Sequence, residues 1–151
     1  MRKGSALASV SALVALTCFL PLTTRSDEKC VESKQAVDVC ALLSNPSESD
    51  GKELVIRGLY RVIIHGSIMT GSTCKKVDVN MRRAHEWKGD KRAQAALRTQ
   101  MKKNPYQFVE LVIRGTFRVA QQGQCFGQNC LPYEIEESEL LCAAPAEEKQ
   151  H

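Results

Sequence analysis

A ten-residue segment occurs twice in this chain, 57 residues apart. Residues 53–62 read ELVIRGLYRV and residues 110–119 read ELVIRGTFRV, so the copies differ at only two positions, one of them an exchange of Tyr60 for Phe117. In both copies apolar residues recur at every second position, which is the period of a β-strand with one face on a core. The repeat therefore predicts two long, equivalent strands and a mainly β protein.

The two faces of these strands differ in chemistry, because one is apolar and the other carries charges. A glycine occupies the same inward position in each copy, and glycine lets a strand bend sharply, as small closed barrels require. The predicted inward residues are Leu54, Ile56, Gly58, Tyr60 and Val62 in the first copy and Leu111, Ile113, Gly115, Phe117 and Val119 in the second.

The flanking sequence supplies the other elements. We predict a short helix before Asn45-Pro46, a hairpin strand at 67–70, a third strand at 76–81, a helix at 91–103 with Asp90 as N-cap, and a last strand at 133–141. The order is β-β-β-α-β-β after a short N-terminal helix. This order predicts an OB-fold-like five-stranded β-barrel.

The N-terminus has the pattern of a secretory signal. Arg2 and Lys3 precede an uncharged run over residues 4–24. This run also has the ~20 residues that a transmembrane helix needs, so an uncleaved N-terminal membrane anchor stays open, as does a lipoprotein with a lipid on Cys18. We predict a signal peptide at 1–25, one barrel domain at 30–142, a flexible C-terminal tail at 143–151, and export to the periplasm or the extracellular space.

Removing the signal changes the charge balance. The chain has 21 basic and 17 acidic residues, and the loss of Arg2, Lys3 and Arg25 leaves 18 basic against 17 acidic. A nearly neutral mature chain disfavours nucleic acid as a partner. The charges are nevertheless uneven, since residues 75–103 are mainly basic and residues 134–148 are acidic.

Six cysteines remain once Cys18 is removed with the signal. An even number in an exported chain favours disulfide bonds, whose pairing stays open among 15 connectivities. Paired cysteines leave no thiolate to hold zinc or to act as a nucleophile. We therefore predict no metal, no cofactor and no catalytic residue. The disulfide candidates are Cys30, Cys40, Cys74, Cys125, Cys130 and Cys142.

Two groups of basic residues are candidate anion-binding sites. The arginines of the repeat share one strand face, where Glu53 and Glu110 can also neutralise them. The basic stretch can instead bind an acidic glycan, a lipid headgroup or nucleic acid, although aromatic residues for base stacking are nearly absent from it. The candidates are Arg57, Arg61, Arg114 and Arg118 from the repeat and Lys75, Lys76, Arg82 and Arg83 from the stretch.

Two further positions have simpler interpretations. His65 follows the first long strand at a Gly-Ser turn, and we interpret it as a turn residue. His85 and Trp87 are interpreted as packing over the mouth of the barrel.

Several motifs together resemble a group of uncharacterised exported bacterial proteins with an OB-like barrel. The motifs are Leu42-Leu43, residues 45–52, Val55-Ile56-Arg57-Gly58 and residues 112–117. The resemblance spans residues 37–141 and implies an envelope location without an assigned activity. A weaker resemblance, to netrin-like modules such as the inhibitory domain of metalloproteinase inhibitors, implies a protease inhibitor that begins at Cys30.

The sequence thus predicts a non-enzymatic, monomeric binding or interaction module of the bacterial envelope. Its partner is an unknown protein or an anionic ligand, and it touches the membrane only if the N-terminal segment is uncleaved. The alternatives are an anion-binding protein using the basic 75–103 surface, a netrin-like protease inhibitor and, least favoured, an enzyme.

Overall fold

The computed structural model describes Cys30 and residues 35–74, 77–83 and 86–146. The predicted signal peptide at 1–25, including Cys18, lies outside the described residues, as do Lys75, Lys76 and His85. None of the described helices is long and apolar enough to cross a membrane. In chain order, the elements are β1 (Val37–Asp38), α1 (Val39–Ser44), α2 (Pro46–Ser49), β2 (Glu53–Ile63), β3 (Gly66–Thr70), β4 (Asp78–Arg82), α3 (Lys91–Lys103), β5 (Val109–Val119) and β6 (Tyr133–Pro145).

Five strands close into a barrel in the order β2-β3-β4-β6-β5, with β5 pairing back onto β2. The β4–β6 pair is parallel and the other barrel pairs are antiparallel. The helix α3 lies between the third and fourth barrel strands in the chain. The predicted fold class, a mainly β protein with an OB-like five-stranded barrel, is confirmed.

The two copies of the repeat form β2 and β5, and they pair with each other. Ile56 lies opposite Ile113, and the register extends from the pair Glu53–Thr116 at one end to Tyr60–Val109 at the other. All five predicted inward positions of each copy are buried or half-buried in one main core. The alternation in the sequence therefore predicted correctly which face of each strand is inside.

The two glycines of the repeat, Gly58 and Gly115, lie where the neighbouring strands leave no room for a side chain. A Cβ on Gly58 would come within 2.7 Å of the Met69 side chain, and one on Gly115 would come within 2.8 Å of the Glu136 carbonyl oxygen. Gly58 lies between the residues of β2 that pair with β1, which end at Arg57, and those that pair with β3, which begin at Leu59. Gly115 adjoins a register shift between β5 and β6. Both glycines thus permit the bends that close the barrel.

The helix α3 occupies the predicted residues and closes against β6. Asp90 is its N-cap, because the carboxylate accepts a hydrogen bond from the Ala93 N–H at 2.8 Å. Ala93 and Leu97 point into the main core. Just before the helix, Gly89 bridges to Leu140 of β6, so the start of α3 is attached to the sheet by backbone contacts.

All six cysteines of the predicted domain are paired. The disulfides join Cys30 to Cys142, Cys40 to Cys74 and Cys125 to Cys130. Three disulfides in a chain of this size are typical of a protein that folds in an oxidising compartment outside the cytoplasm. The first bond belongs to a second, smaller core that also contains Val112 and Ala144.

Two boundaries differ from the prediction. The strand β6 continues to Pro145, so Ala143 and Ala144, which the sequence assigned to a flexible tail, are buried strand residues. They pair with Leu111 and Glu110 of β5, and this long partner strand is what extends β6. Residues 37–38, predicted as helix, instead form β1, which runs parallel to β2 before α1 begins.

Candidate functional site

Three of the four arginines in the repeat are neutralised by glutamates. Arg57 lies 3.7 Å from Glu110, Arg114 lies 2.6 Å from Glu139, and Arg118 lies 2.8 Å from Glu136. Arg57 also donates a hydrogen bond to the Cys30 carbonyl oxygen. Ion pairs this exposed contribute a few tenths of a kcal/mol each. These three arginines therefore serve the sheet rather than an open anion site.

The predicted partnership of Glu110 with an arginine is observed, but Glu53 has a different contact. Its carboxylate accepts a hydrogen bond from the Ser138 hydroxyl at 3.3 Å. Glu136 and Glu139 of β6 were not predicted as the partners of the arginines in β5. The alternation of glutamates in the last strand was the available signal, because β5 and β6 pair antiparallel along their whole length.

Arg61 is the exception among the matched arginines. Among the described residues it has no acidic partner within ion-pair distance, whereas its equivalent in the second copy, Arg118, has one. The guanidinium carbon lies 4.7 Å from the centre of the Phe108 ring, in a cation–π contact. The buried Nε has no hydrogen-bond partner among the described residues. Within the part of the chain that the structure describes, this cation is therefore held in place by an aromatic ring rather than by a carboxylate.

Arg61 lines an open groove with a volume of about 360 Å³. Two exposed apolar side chains flank it, Ile64 with 86% of its surface exposed and Tyr106 with 62%. The groove is formed by three separate parts of the chain: the β2–β3 turn, the loop before β5, and the Cys125–Cys130 loop, which supplies Asn129. An apolar surface next to a cation that no described carboxylate neutralises suits a ligand with an anionic group and an apolar part.

His65 also lines this groove and lies in the β2–β3 turn, as predicted. Sequence reasoning did not connect His65 with Arg61, Tyr106 or Asn129, because these residues come from loops that only the closed barrel brings together. The closeness of Arg61 and His65 in the sequence was the only local signal that the two residues share a site.

A buried acidic residue of β6, Glu137, lies inside the barrel. Glu137 is 6% exposed, and its Oε2 has no hydrogen-bond partner among the described residues. Burial raises the pKa of Glu137 to about 7, although Arg83 and Lys88 act in the opposite direction. Glu137 lies opposite Gly115 on the inward face. The carboxyl group is therefore poised to change its protonation near neutral pH.

Tyr60 is the inward aromatic residue next to this end of the barrel. Its ring meets Trp87 edge-to-face with centroids 5.7 Å apart, and Arg83 lies 5.3 Å from the centre of the Trp87 ring. The Tyr60 hydroxyl makes no hydrogen bond of normal geometry to a described residue. Burial raises its pKa, and the Arg83 charge and the nearby Ser67 hydroxyl act in the opposite direction. The half-buried Trp87 packs against the main core, in agreement with its predicted packing role.

The predicted basic surface divides into paired and unpaired parts. Arg82 lies 4.0 Å from Glu134, a buried carboxylate that also accepts a 2.7 Å hydrogen bond from the Asn80 amide. Arg83 is placed over Trp87 instead. On α3, the spacing of Lys91, Arg98 and Lys102 puts three exposed cations on one side of the helix.

The six described cysteines offer no thiolate for catalysis or for zinc, because all of them are in disulfides. Within the described residues no three histidine, cysteine or acidic side chains are grouped so that they could hold a metal ion.

Comparison with known proteins adds no relative to this picture. The chain matches no protein-family model, no curated protein and no solved structure.

Proposed function

We propose that the protein is an exported binding module of the bacterial envelope, and that its ligand site is the groove around Arg61. The ligand class is a molecule or peptide end with one anionic group, such as a carboxylate, sulfate or phosphate, next to an apolar part. The observation that carries this proposal is the difference between Arg61 and Arg118. These residues are equivalent in the repeat, yet only Arg118 is neutralised by a glutamate among the described residues.

The surroundings of Arg61 support a ligand rather than a structural role. A buried or half-buried guanidinium is normally paired, because its desolvation is otherwise uncompensated. Here two exposed apolar residues, Ile64 and Tyr106, line the groove together with the exposed polar residues His65 and Asn129. Exposed apolar residues around one charged group are the usual arrangement of a small-ligand site, where the charge orients the ligand and the apolar surface supplies affinity.

The test uses octyl sulfate, with octanol and inorganic sulfate as probes that each lack one half of the recognised chemistry. Titrations followed by backbone amide NMR should show octyl sulfate shifting the signals of the groove residues, and should show weaker effects of the other two probes. Arg61→Gln should weaken octyl sulfate binding about tenfold or more, since a charge-assisted hydrogen bond is lost.

The matched control is Arg118→Gln, which removes the equivalent arginine and its ion pair. It should leave octyl sulfate affinity unchanged. Equal loss of affinity in the two variants would contradict the proposal, and so would binding of octanol as tight as that of octyl sulfate.

The exposed cations of α3 support a second candidate function, attachment to an anionic surface. Lys91, Arg98 and Lys102 lie on one side of the helix and have no acidic partner within ion-pair distance among the described residues. Binding to heparin or to vesicles that contain anionic phospholipid should then fall steeply with added salt. Exchange of these three residues for glutamine should abolish it, whereas Arg61→Gln should not.

A further inference from the structure

The three disulfides differ strongly in their exposure. Cys30 is 4% exposed and lies in the smaller core. The second bond is covered by Gly71, where a Cβ would come within 2.0 Å of the Cys40 sulfur and 2.6 Å of the Cys74 sulfur. By contrast, Cys125 and Cys130 are both exposed. Since Cys40, Cys74 and Cys142 are half-buried, this third bond is the most accessible of the three to a reagent in solution.

The backbone at this bond is also strained. Cys130 has a φ of 52°, and it is the only described residue other than glycine with a positive φ. A side chain in this left-handed region is sterically strained, and the closed loop maintains the strain. Exposed or strained disulfides are the ones that exchange readily with thiols.

Opening this bond costs the fold little. Its cysteines are separated by only 5 residues, against 34 and 112 for the other two bonds. A short loop restricts the unfolded chain least, so this bond contributes the least of the three to stability through loop closure. The loop has a second closure, because Phe126 and Leu131 exchange backbone hydrogen bonds of 2.8 and 3.0 Å. These bonds keep the two sulfurs near each other after reduction.

We propose that Cys125–Cys130 is a reversible thiol–disulfide exchange site whose reaction partner is a dithiol, either a small molecule or a dithiol protein. One thiolate of the partner attacks a sulfur of the pair, forms a mixed disulfide and releases the other cysteine as a thiolate. The second thiol of the partner, after losing its proton, attacks the mixed disulfide and releases the remaining cysteine. Two electrons pass to the protein, both cysteine thiolates can take up protons, and the partner leaves as its own disulfide.

The exchange has a structural readout away from the sulfurs. Gly127 lies against Asn80, so that a Cβ there would come within 2.4 Å of the Asn80 Oδ1. Asn80 in turn holds the buried Glu134 carboxylate. Reduction therefore loosens the part of the loop around Gly127, which packs on Asn80. The amide signals of Asn80 and Glu134 should then change, while those of the Ile56–Ile113 region should stay constant.

The experiment poises the folded, oxidised protein in buffers with increasing ratios of reduced to oxidised dithiothreitol, without denaturant. Samples are quenched with acid, alkylated, digested and measured by mass spectrometry. Cys125 and Cys130 should be alkylated together at a ratio at least tenfold lower than the other four cysteines, and removal of the dithiothreitol should restore the bond. Simultaneous opening of all three disulfides, or earlier opening of either other bond, would overturn the proposal.

The control is the double variant Cys125→Ser with Cys130→Ser. It should keep the far-ultraviolet circular dichroism and the NMR dispersion of the parent protein, and it should show no alkylation at the ratios that label the parent. A double variant that fails to fold would also overturn the proposal, because the bond would then be required for the fold.

Discussion

Ile56 of β2 and Ile113 of β5 lie directly opposite each other, and they occupy the same position in the two copies of the repeat. The antiparallel register therefore places a local two-fold axis between them, and each copy meets the other in the same way. Both side chains are fully buried in the main core. The repeated sequence thus contributes a self-complementary strand pair to the barrel.

This relationship predicts the effect of shortening either side chain. Ile56→Val and Ile113→Val should each lower the free energy of unfolding by about 0.5–1.5 kcal/mol, because each leaves a small cavity in a closed core. Because the two residues are direct neighbours, the double variant should deviate from the sum of the single variants by at least about 0.5 kcal/mol. Urea unfolding with the disulfides intact measures all three values.

The control is Ile64→Val, since Ile64 is 86% exposed. Its effect should stay within about 0.5 kcal/mol. Strict additivity of the two core variants would show that the paired isoleucines do not share one packing environment.

Much of the barrel could be predicted from sequence because its signals are local. The alternation in the two repeats identified the inward residues, and Asp90 with the helix formers after it placed α3 correctly. The order of these elements was enough for the fold class. Each of these inferences depends on neighbours a few positions apart along the chain.

The polar features could not be predicted because they depend on distant contacts. Asn80 of β4 and Glu134 of β6 are polar residues, yet both are buried, and Gly127 from the Cys125–Cys130 loop packs against Asn80. Glu137 is the second residue after Ile135 and therefore lies on the same inward face. The register shifts between β5 and β6 come after Glu137 along β6 and do not change its face. The site around Arg61 likewise requires loops that meet only in the closed barrel.

Gly89 provides a test of how α3 is attached to the sheet. It has a φ of 98°, and a Cβ would come within 2.3 Å of the Leu140 carbonyl oxygen. Gly89→Ala should therefore lower the free energy of unfolding by about 2 kcal/mol or more, because backbone strain and a clash with backbone combine. Thermal unfolding followed by circular dichroism measures the loss.

Gly123→Ala is the matched variant, since Gly123 has a φ of 80° with nothing within 4 Å of the added Cβ. It bears the conformational cost alone, about 1 kcal/mol. Equal losses in the two variants would mean that the contact with Leu140 does not hold the start of α3.

Removal of the Tyr60 hydroxyl group should leave the stability of the protein almost unchanged. Its hydroxyl is buried and makes no hydrogen bond to a described residue, so Tyr60→Phe removes a desolvated group while keeping the ring. The free energy of unfolding should change by no more than about 0.5 kcal/mol, and the Trp87 fluorescence spectrum should be preserved. A loss above about 1.5 kcal/mol would indicate that the hydroxyl has a partner in the folded protein.

Glu137 makes the stability of the barrel dependent on pH. Burial raises its folded-state pKa from about 4.5 to about 7. Between these two pH values the folded state therefore holds a proton that the unfolded state has already released. Its contribution to stability is therefore complete below pH 4.5 and is lost as the pH rises through 7. Glu137→Gln, which stays neutral, should gain stability relative to the parent protein between pH 5 and pH 8, by up to about 3 kcal/mol.

Glu136→Gln is the control for this titration, because Glu136 is the adjacent residue on the outer face and pairs with Arg118 at 2.8 Å. Removing that exposed ion pair should cost a few tenths of a kcal/mol, with little change between pH 5 and pH 8. Urea unfolding of both variants and the parent protein at several pH values separates the two effects. If the difference between Glu137→Gln and the parent were the same at pH 5 and pH 8, the Glu137 carboxyl would not titrate in this range, and the buried Oε2 would need a partner that stabilises its charged form.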